Sequence, residues 1–249
     1  MQRRRSNNGY TTHRSSGSCV WFFQSQSAHV PDTSRSPQPT TPAEAKQTSV
    51  AATASASTDS PQLAIDILNT LPIKGRAPKT GYNRAMFGDG WLLTGGCDTR
   101  NIILHRDLVE VTVNSSCKVT TGVLADPYTG TTISFTRGAN TSDLVQIDHV
   151  VALSNAWQTG AQQLTLEQRI AFANDPLELL AVEGAANQAK GDGDAATWLP
   201  ANKAFRCQYV ARQIAVKAKY SLWVTEAEKS AMRRVLADCS EQALPTASP

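Results

Sequence analysis

Two apolar runs and a short polar segment constrain this chain most: LVQIDHVVAL at 144–153, LELLAV at 177–182 and GAANQAKG at 184–191. The two runs are short, β-branched or leucine-rich, and bounded by turn residues, which predicts buried strands. The third has helical composition and is closed by Gly191, as a C-terminal glycine closes a helix. The resulting order is strand, long excursion, strand, helix. Asp148 and His149 sit on the first strand, while Asn187 and Lys190, three apart, share one face of the helix. Neighbours on a regular strand point to opposite faces, so Asp148 and His149 can share a site only where the strand twists or ends.

These residue types suit phosphodiester hydrolysis. An imidazole with an ordinary pKa near ~6.5 can be neutral and accept a proton from water at neutral pH. Asp148 and Asn187 offer the hard oxygens a divalent ion prefers. Asp192 and Asp194 are further oxygen candidates, although after Gly191 a turn role is at least as natural for them.

The rest of the chain is uneven. Residues 1–60 are rich in Ser, Thr, Ala, Pro and Gln, with one apolar patch, CVWFF at 19–23, and are expected to be a disordered tail or degenerate leader. Arg3-Arg4-Arg5 resembles the basic start of an export signal, but the apolar stretch that should follow is missing. One folded domain is expected over 61–240, with a short disordered tail at 241–249. No run approaches the ~20 apolar residues of a membrane span.

The net charge is +3, yet six of the 24 Lys and Arg and three of the 21 Asp and Glu fall in residues 1–60, so the remainder is neutral. Its basic residues cluster. Eight lie between Lys203 and Arg234 against two glutamates, predicting either a local phosphate-binding face or a solvated helix surface. Four cysteines follow the tail, Cys97, Cys117, Cys207 and Cys239, without zinc-knuckle spacing. Of the three possible pairings, Cys97–Cys117 with Cys207–Cys239 is the simplest and implies an oxidising compartment; buried, reduced thiols are the alternative.

Other elements are legible. A helix is expected over LAIDILNTL, entered at Ser60-Pro61 and ended before Pro72. A Gly-rich loop (FGDGWLLTGG) leads to a short helix, NIILHRDL, followed by strands VEVTV, KVTTGVLA and TTISFTR, the last two joined by the turn Asp126-Pro127-Tyr128-Thr129-Gly130. Capping boxes at Thr165/Gln168 and Thr225/Glu228 open two later helices, and a long amphipathic helix is expected across Trp198 to Tyr220. Strands and helices without βαβ alternation indicate an α+β fold. Arg100 and Arg106 are candidate phosphate ligands, with pairing to Asp98 or Asp107 the default. His105 is expected at the surface, and Trp91, Trp157 and Trp198 in the core.

The combination DHVVALSNAW with NDPLELLAVEGAANQAKGDGDAATWLP resembles the HNH endonuclease superfamily in its ββα-metal form. It is similar to a group of mostly secreted bacterial proteins whose C-terminal HNH domain was long of unknown function. The likeness extends through FGDGW, GCDTRN, HRDL and DPYTG to WLPANKAFRCQYVARQIAVKAKY, covering residues 80–239. The resemblance implies a ββα-metal core elaborated by an N-terminal helix, a small antiparallel sheet and C-terminal helices. It makes His149 the general base, Asp148 and Asn187 ligands of one divalent ion, and Lys190 a phosphate contact or orienting group. Mg²⁺ is the default, with Mn²⁺, Ni²⁺ and Zn²⁺ also open.

One position departs from the family pattern. The asparagine that usually pins the loop around the histidine is matched by Glu178, which can accept backbone N–H groups and could add negative charge, raising the His149 pKa. The implied activity is metal-dependent hydrolysis of DNA, with RNA as the alternative substrate, with little sequence preference, by a secreted or cell-surface protein. Two rivals follow from the same residues: an inactive HNH fold that binds nucleic acid or acts at the surface, and a toxin held off by an immunity protein.

Overall fold

A computed structural model describes residues 61–245; the tail with its CVWFF patch, Arg3–Arg5 and Ser60 lies outside the described residues. Helix α1 spans Ala64–Thr70. It begins three residues beyond the expected entry because Leu63 is engaged elsewhere, in an isolated bridge to Ala243. The Ala64 amide also donates to the Gln242 carbonyl at 2.8 Å and the Leu244 amide to that of Gln62 at 2.8 Å. The segment past 240, expected to be unstructured from 241, is thus tied down through at least Leu244.

The hairpin β1 (Leu93–Thr94) and β2 (Cys97–Asp98) turns at Gly95-Gly96 and runs into α2 (Thr99–Asp107). Asp98 caps α2 by accepting from the Asn101 amide. Strands β3 (Val109–Val113), β4 (Val119–Ala125) and β5 (Thr132–Thr136) form an antiparallel meander, with the 126–130 turn between β4 and β5 as expected. Next comes β6 (Val145–His149), then α3 (Leu153–Gln158) and α4 (Leu166–Ala173), whose Thr165/Gln168 capping box is formed. Strand β7 (Leu179–Glu183) returns antiparallel to β6, pairing Asp148 with Leu180 and His149 with Leu179.

Helix α5 (Gly184–Lys190) follows β7 directly, closed by Gly191 at φ +55°. Gly184 is required for a steric reason: a Cβ there would stand 2.0 Å from the Asp143 carbonyl oxygen, so only glycine lets α5 start this close to the entry of β6. Residues 198–202 are not helical, contrary to expectation; Asn202 caps a 3₁₀ turn at Lys203–Phe205, and α6 runs from Arg206 to Lys219. Helix α7 (Glu226–Leu236) opens on the Thr225/Glu228 capping box.

The fold is α+β. The β6–β7 pair stands between two apolar clusters, and strand alternation decides which side chain joins which. Val145, Ile147, Leu179 and Ala181 pack with Ile103, Leu104 and Phe135 of α2 and the meander. Leu180 and Val182 pack with Tyr209, Val210 and Ile214 in the helical cluster. Both disulfides of the simplest pairing are formed: Cys97–Cys117 ties the β1–β2 hairpin to the meander, and Cys207–Cys239 ties α6 to the segment after α7. Among the described residues no helix is long and apolar enough to cross a membrane.

Candidate functional site

The strand and helix periods mesh at one place. Gln146 and Asp148, two apart, lie on the same face of β6; Asn187 and Lys190, three apart, lie on one face of α5. They pair in order. The Asn187 amide nitrogen donates to Gln146 Oε1 at 2.9 Å, and Lys190 Nζ donates to Asp148 Oδ1 at 2.9 Å. The carbonyl oxygen of Asn187 accepts from no group among the described residues.

Asp148 is held from both sides. Its second oxygen accepts from the Tyr128 hydroxyl, delivered by the 126–130 turn and wholly buried. Asp126 fixes that turn, accepting from the Thr129 amide with one oxygen and from the Glu183 amide at the end of β7 with the other. Lys190 also donates to the His149 carbonyl at 2.8 Å, and its side chain is fully buried. Lys190 therefore does not reach out to phosphate; it orients the strand that carries the site.

Strand β6 ends at His149, and the geometric condition for a shared site is met there: Asp148, His149 and Asn187 line one open cleft of about 650 Å³. Nε2 of His149 lies 3.0 Å from the Ala173 carbonyl, which can only accept. That nitrogen therefore carries the proton and Nδ1 is the free acceptor. Burial, with the nearby Arg84 and Lys190 charges, pushes the imidazole down to about 3, so it is neutral at physiological pH.

Glu178 is fully buried, and both its oxygens accept from the Val151 amide at 3.2 Å while its carbonyl takes the Val150 amide at 2.9 Å. It pins the loop after His149, as the family's asparagine would. The expected rise of the His149 pKa does not occur, since burial outweighs it. Burial also drives the Glu178 carboxyl well above its ordinary range, with Asp148 and Asp175 reinforcing the shift, so its charge is suppressed.

Several expectations change. Arg106 does not face phosphate: it pairs with Asp107 and donates to the Pro176 and Leu179 carbonyls, both at 2.7 Å. Asp107 accepts from the Ala181 amide at 2.8 Å, so together they satisfy the free edge of β7. Arg100 does the same for β6, donating to the Val145 carbonyl at 3.0 Å, yet it also lines the cleft. Asp194 caps a turn and pairs with Arg76 at 2.7 Å, away from the cleft lining. Asp192 does line the cleft, accepting from Lys79 and Ser154.

Part of the basic run at 203–234 is turned inward, while Lys203, Lys219, Arg233 and Arg234 are exposed. Lys217 is buried against Glu228 at 3.0 Å, Lys229 donates to the Asn69 and Leu71 carbonyls, and Arg212 donates to the Leu177 carbonyl at 2.9 Å. His105 is exposed, as expected, and Trp157 is core. Trp91 is not simply core: it is half-buried at the cleft and lies nearly parallel to His149, 7° between planes with centroids 5.8 Å apart. Sequence reasoning missed Tyr128, Arg84, Lys79 and Gln146. The only signal for Tyr128 was its place in the DPYTG motif, and Arg84 and Lys79 carried none.

Among the described residues no three His, Cys, Asp or Glu side chains surround a common point. The donors present, one carboxylate and one amide carbonyl, do not make a closed cage. They fit a hard ion that keeps several of its oxygens from water or substrate, the habit of Mg²⁺, and do not fit a structural zinc.

Residues 99–235 match the family described as GmrSD restriction endonucleases, C-terminal domain, which is of the HNH type. A protein of Arthroderma benhamiae named "Uncharacterized secreted protein" is 41% identical over 175 residues, covering 70% of this chain and 83% of that protein. No solved structure matches. With the match spanning more than half its length, the chain belongs to the family of GmrSD restriction endonuclease C-terminal domains.

Proposed function

We propose that this chain is a divalent-metal-dependent endonuclease of the HNH type, secreted or at the cell surface, that hydrolyses DNA, with RNA as the alternative substrate, with little sequence preference. One observation carries the reading: a neutral histidine whose proton is fixed on Nε2 by the Ala173 carbonyl lines a cleft shared with Asp148 and Asn187. The β6–β7–α5 unit is read as the ββα core. The family supports nuclease activity, and the relative's name together with two disulfides supports an extracellular setting.

His149 Nδ1 accepts the proton of a water that attacks phosphorus as the bond to the leaving sugar oxygen breaks; solvent water protonates that oxygen. Arg84, which makes no hydrogen bond or ion pair among the described residues, and Arg100 stand at the cleft to hold phosphate oxygens. Lys190 and Tyr128 hold Asp148, and Glu178 holds the loop beyond His149. A divalent ion held by Asp148 and Asn187 would stabilise charge on the phosphate and leaving oxygen. The inactive-fold rival loses its main support, because Glu178 still does the pinning its replacement put in doubt.

The test is supercoiled plasmid incubated with the full chain in Mg²⁺, in Mn²⁺ and in EDTA, beside His149→Ala. Nicking is expected with metal, absent in EDTA, and about 10²–10⁴-fold slower in the variant. Undiminished nicking by the variant would overturn the mechanism. No cleavage in any metal, with the chain shown to be folded, would overturn the enzyme.

A further inference from the structure

A second hollow of about 310 Å³ adjoins the cleft and is not used by the mechanism above. Arg84, Trp91, His149 and Leu153 line both, so the two are continuous across the His149–Trp91 pair. Their chemistry differs. The cleft is rimmed by cations and carboxylates, whereas the hollow is built on Phe87, Leu153 and Ala173, with Trp91 as one wall. The other wall is the turn Gly88-Asp89-Gly90, in which both glycines hold positive φ. The backbone amides of Asp89, Gly90 and Trp91 donate to no protein acceptor among the described residues. The hollow therefore combines an apolar, aromatic surface with one carboxylate and a backbone turn whose amides have no acceptor among the described residues, with Arg84 at its junction with the cleft.

We propose that this hollow is a subsite for one unpaired nucleobase of the substrate, which makes single-stranded or locally unpaired nucleic acid the favoured substrate class. The inference rests on the nuclease reading. Aromatic side chains take up bases through their π-faces without demanding a sequence, while polar groups at the edge orient them. The hollow is at the small end of the range for ligand sites, room for one base and not for a stacked duplex. A base in a duplex would first have to be unstacked and turned out to enter, so paired substrate is disfavoured. Arg84, at the junction, places the adjoining phosphate against His149.

The experiment measures binding, so it does not depend on cleavage. Fluorescence anisotropy of the full chain in EDTA compares a 12-nucleotide oligothymidylate, an equal-length strand of tetrahydrofuran abasic residues, and a 12-base-pair duplex. The two single strands carry the same phosphates, so the electrostatic contribution cancels. The oligothymidylate is expected to bind tenfold or more tighter than the abasic strand, and tighter than the duplex. Ala85→Phe, which fills the hollow from its exposed wall, is expected to close the gap between the two single strands. Equal affinity for the two strands, duplex binding as tight as single-strand binding, or a gap that survives in folded Ala85→Phe would overturn the subsite. If that variant fails to fold, the abasic comparison in the native chain decides alone. Plasmid nicking by the same preparation reports on the nuclease reading separately.

Discussion

Two buried lysine–carboxylate pairs invite comparison. Lys190 meets Asp148 at 2.9 Å and Lys217 meets Glu228 at 3.0 Å, and both lysine side chains are fully buried. Their surroundings differ. Lys217 is enclosed by protein acceptors, the Trp223 carbonyl at 3.0 Å among them, and Glu228 also caps the Thr225 amide. Asp148, by contrast, lines an open cleft on its far side. The same ion pair thus serves as a joint between α6 and α7 in one region, and as a mount for a buried carboxylate bordering an open cleft in the other. What a buried charge does depends on what faces its partner, not on the pair itself.

The sharpest way to break this comparison is to remove each lysine. Lys217→Met should cost about 3–5 kcal/mol of stability, because Glu228 is left buried without compensation. Denaturant unfolding measures it, and nicking per folded molecule should be unchanged. Lys190→Met should behave differently, since water in the cleft can compensate Asp148. We expect a smaller stability loss, about 1–2 kcal/mol, with cleavage falling about 10–100-fold as Asp148 and the His149 backbone lose their support. Equal stability losses in the two variants would show that the open cleft makes no difference.

A smaller effect tests the neighbouring acid. The Glu178 carboxyl is raised in the fold, so its contribution to stability is present below its unfolded value, near 4.5, and is lost as pH rises toward the folded value. Glu178→Gln keeps an acceptor for the Val151 amide but does not titrate. Its stability relative to the native chain should therefore rise as the pH rises above the unfolded value. A difference that is flat with pH would mean Glu178 is ionised in the fold. The comparison is a difference between two chains, so the opposite slope contributed by the depressed His149 cancels.

Much of the local structure was legible. Both capping boxes, the 126–130 turn and the Gly191 helix end are short-range features that depend on residues three or four apart. The strand–strand–helix order placed Asp148, His149, Asn187 and Lys190 at one site for the same reason: periods of two and three need no knowledge of the rest of the chain. The roles of the arginines were not legible. Arg106 and Arg100 look alike on α2, but they are assigned by which strand edge each one meets. The basic run at 203–234 mixes both kinds of residue, because a one-dimensional count cannot tell an inward lysine, such as Lys217, from an outward one, such as Lys203.

The sequence by itself determined most of the elements, their order and the residue types available for chemistry, because propensity, capping and hydrophobic period act within a few residues. Only the tertiary structure decided that Tyr128 would grip Asp148, that Trp91 would lie against His149, that Ala173 would fix the imidazole tautomer, and that a second hollow would open beside the cleft. Those contacts join residues 20 to 58 positions apart. Their geometry follows from how β6–β7 is packed between two apolar clusters, and no local pattern encodes that distance.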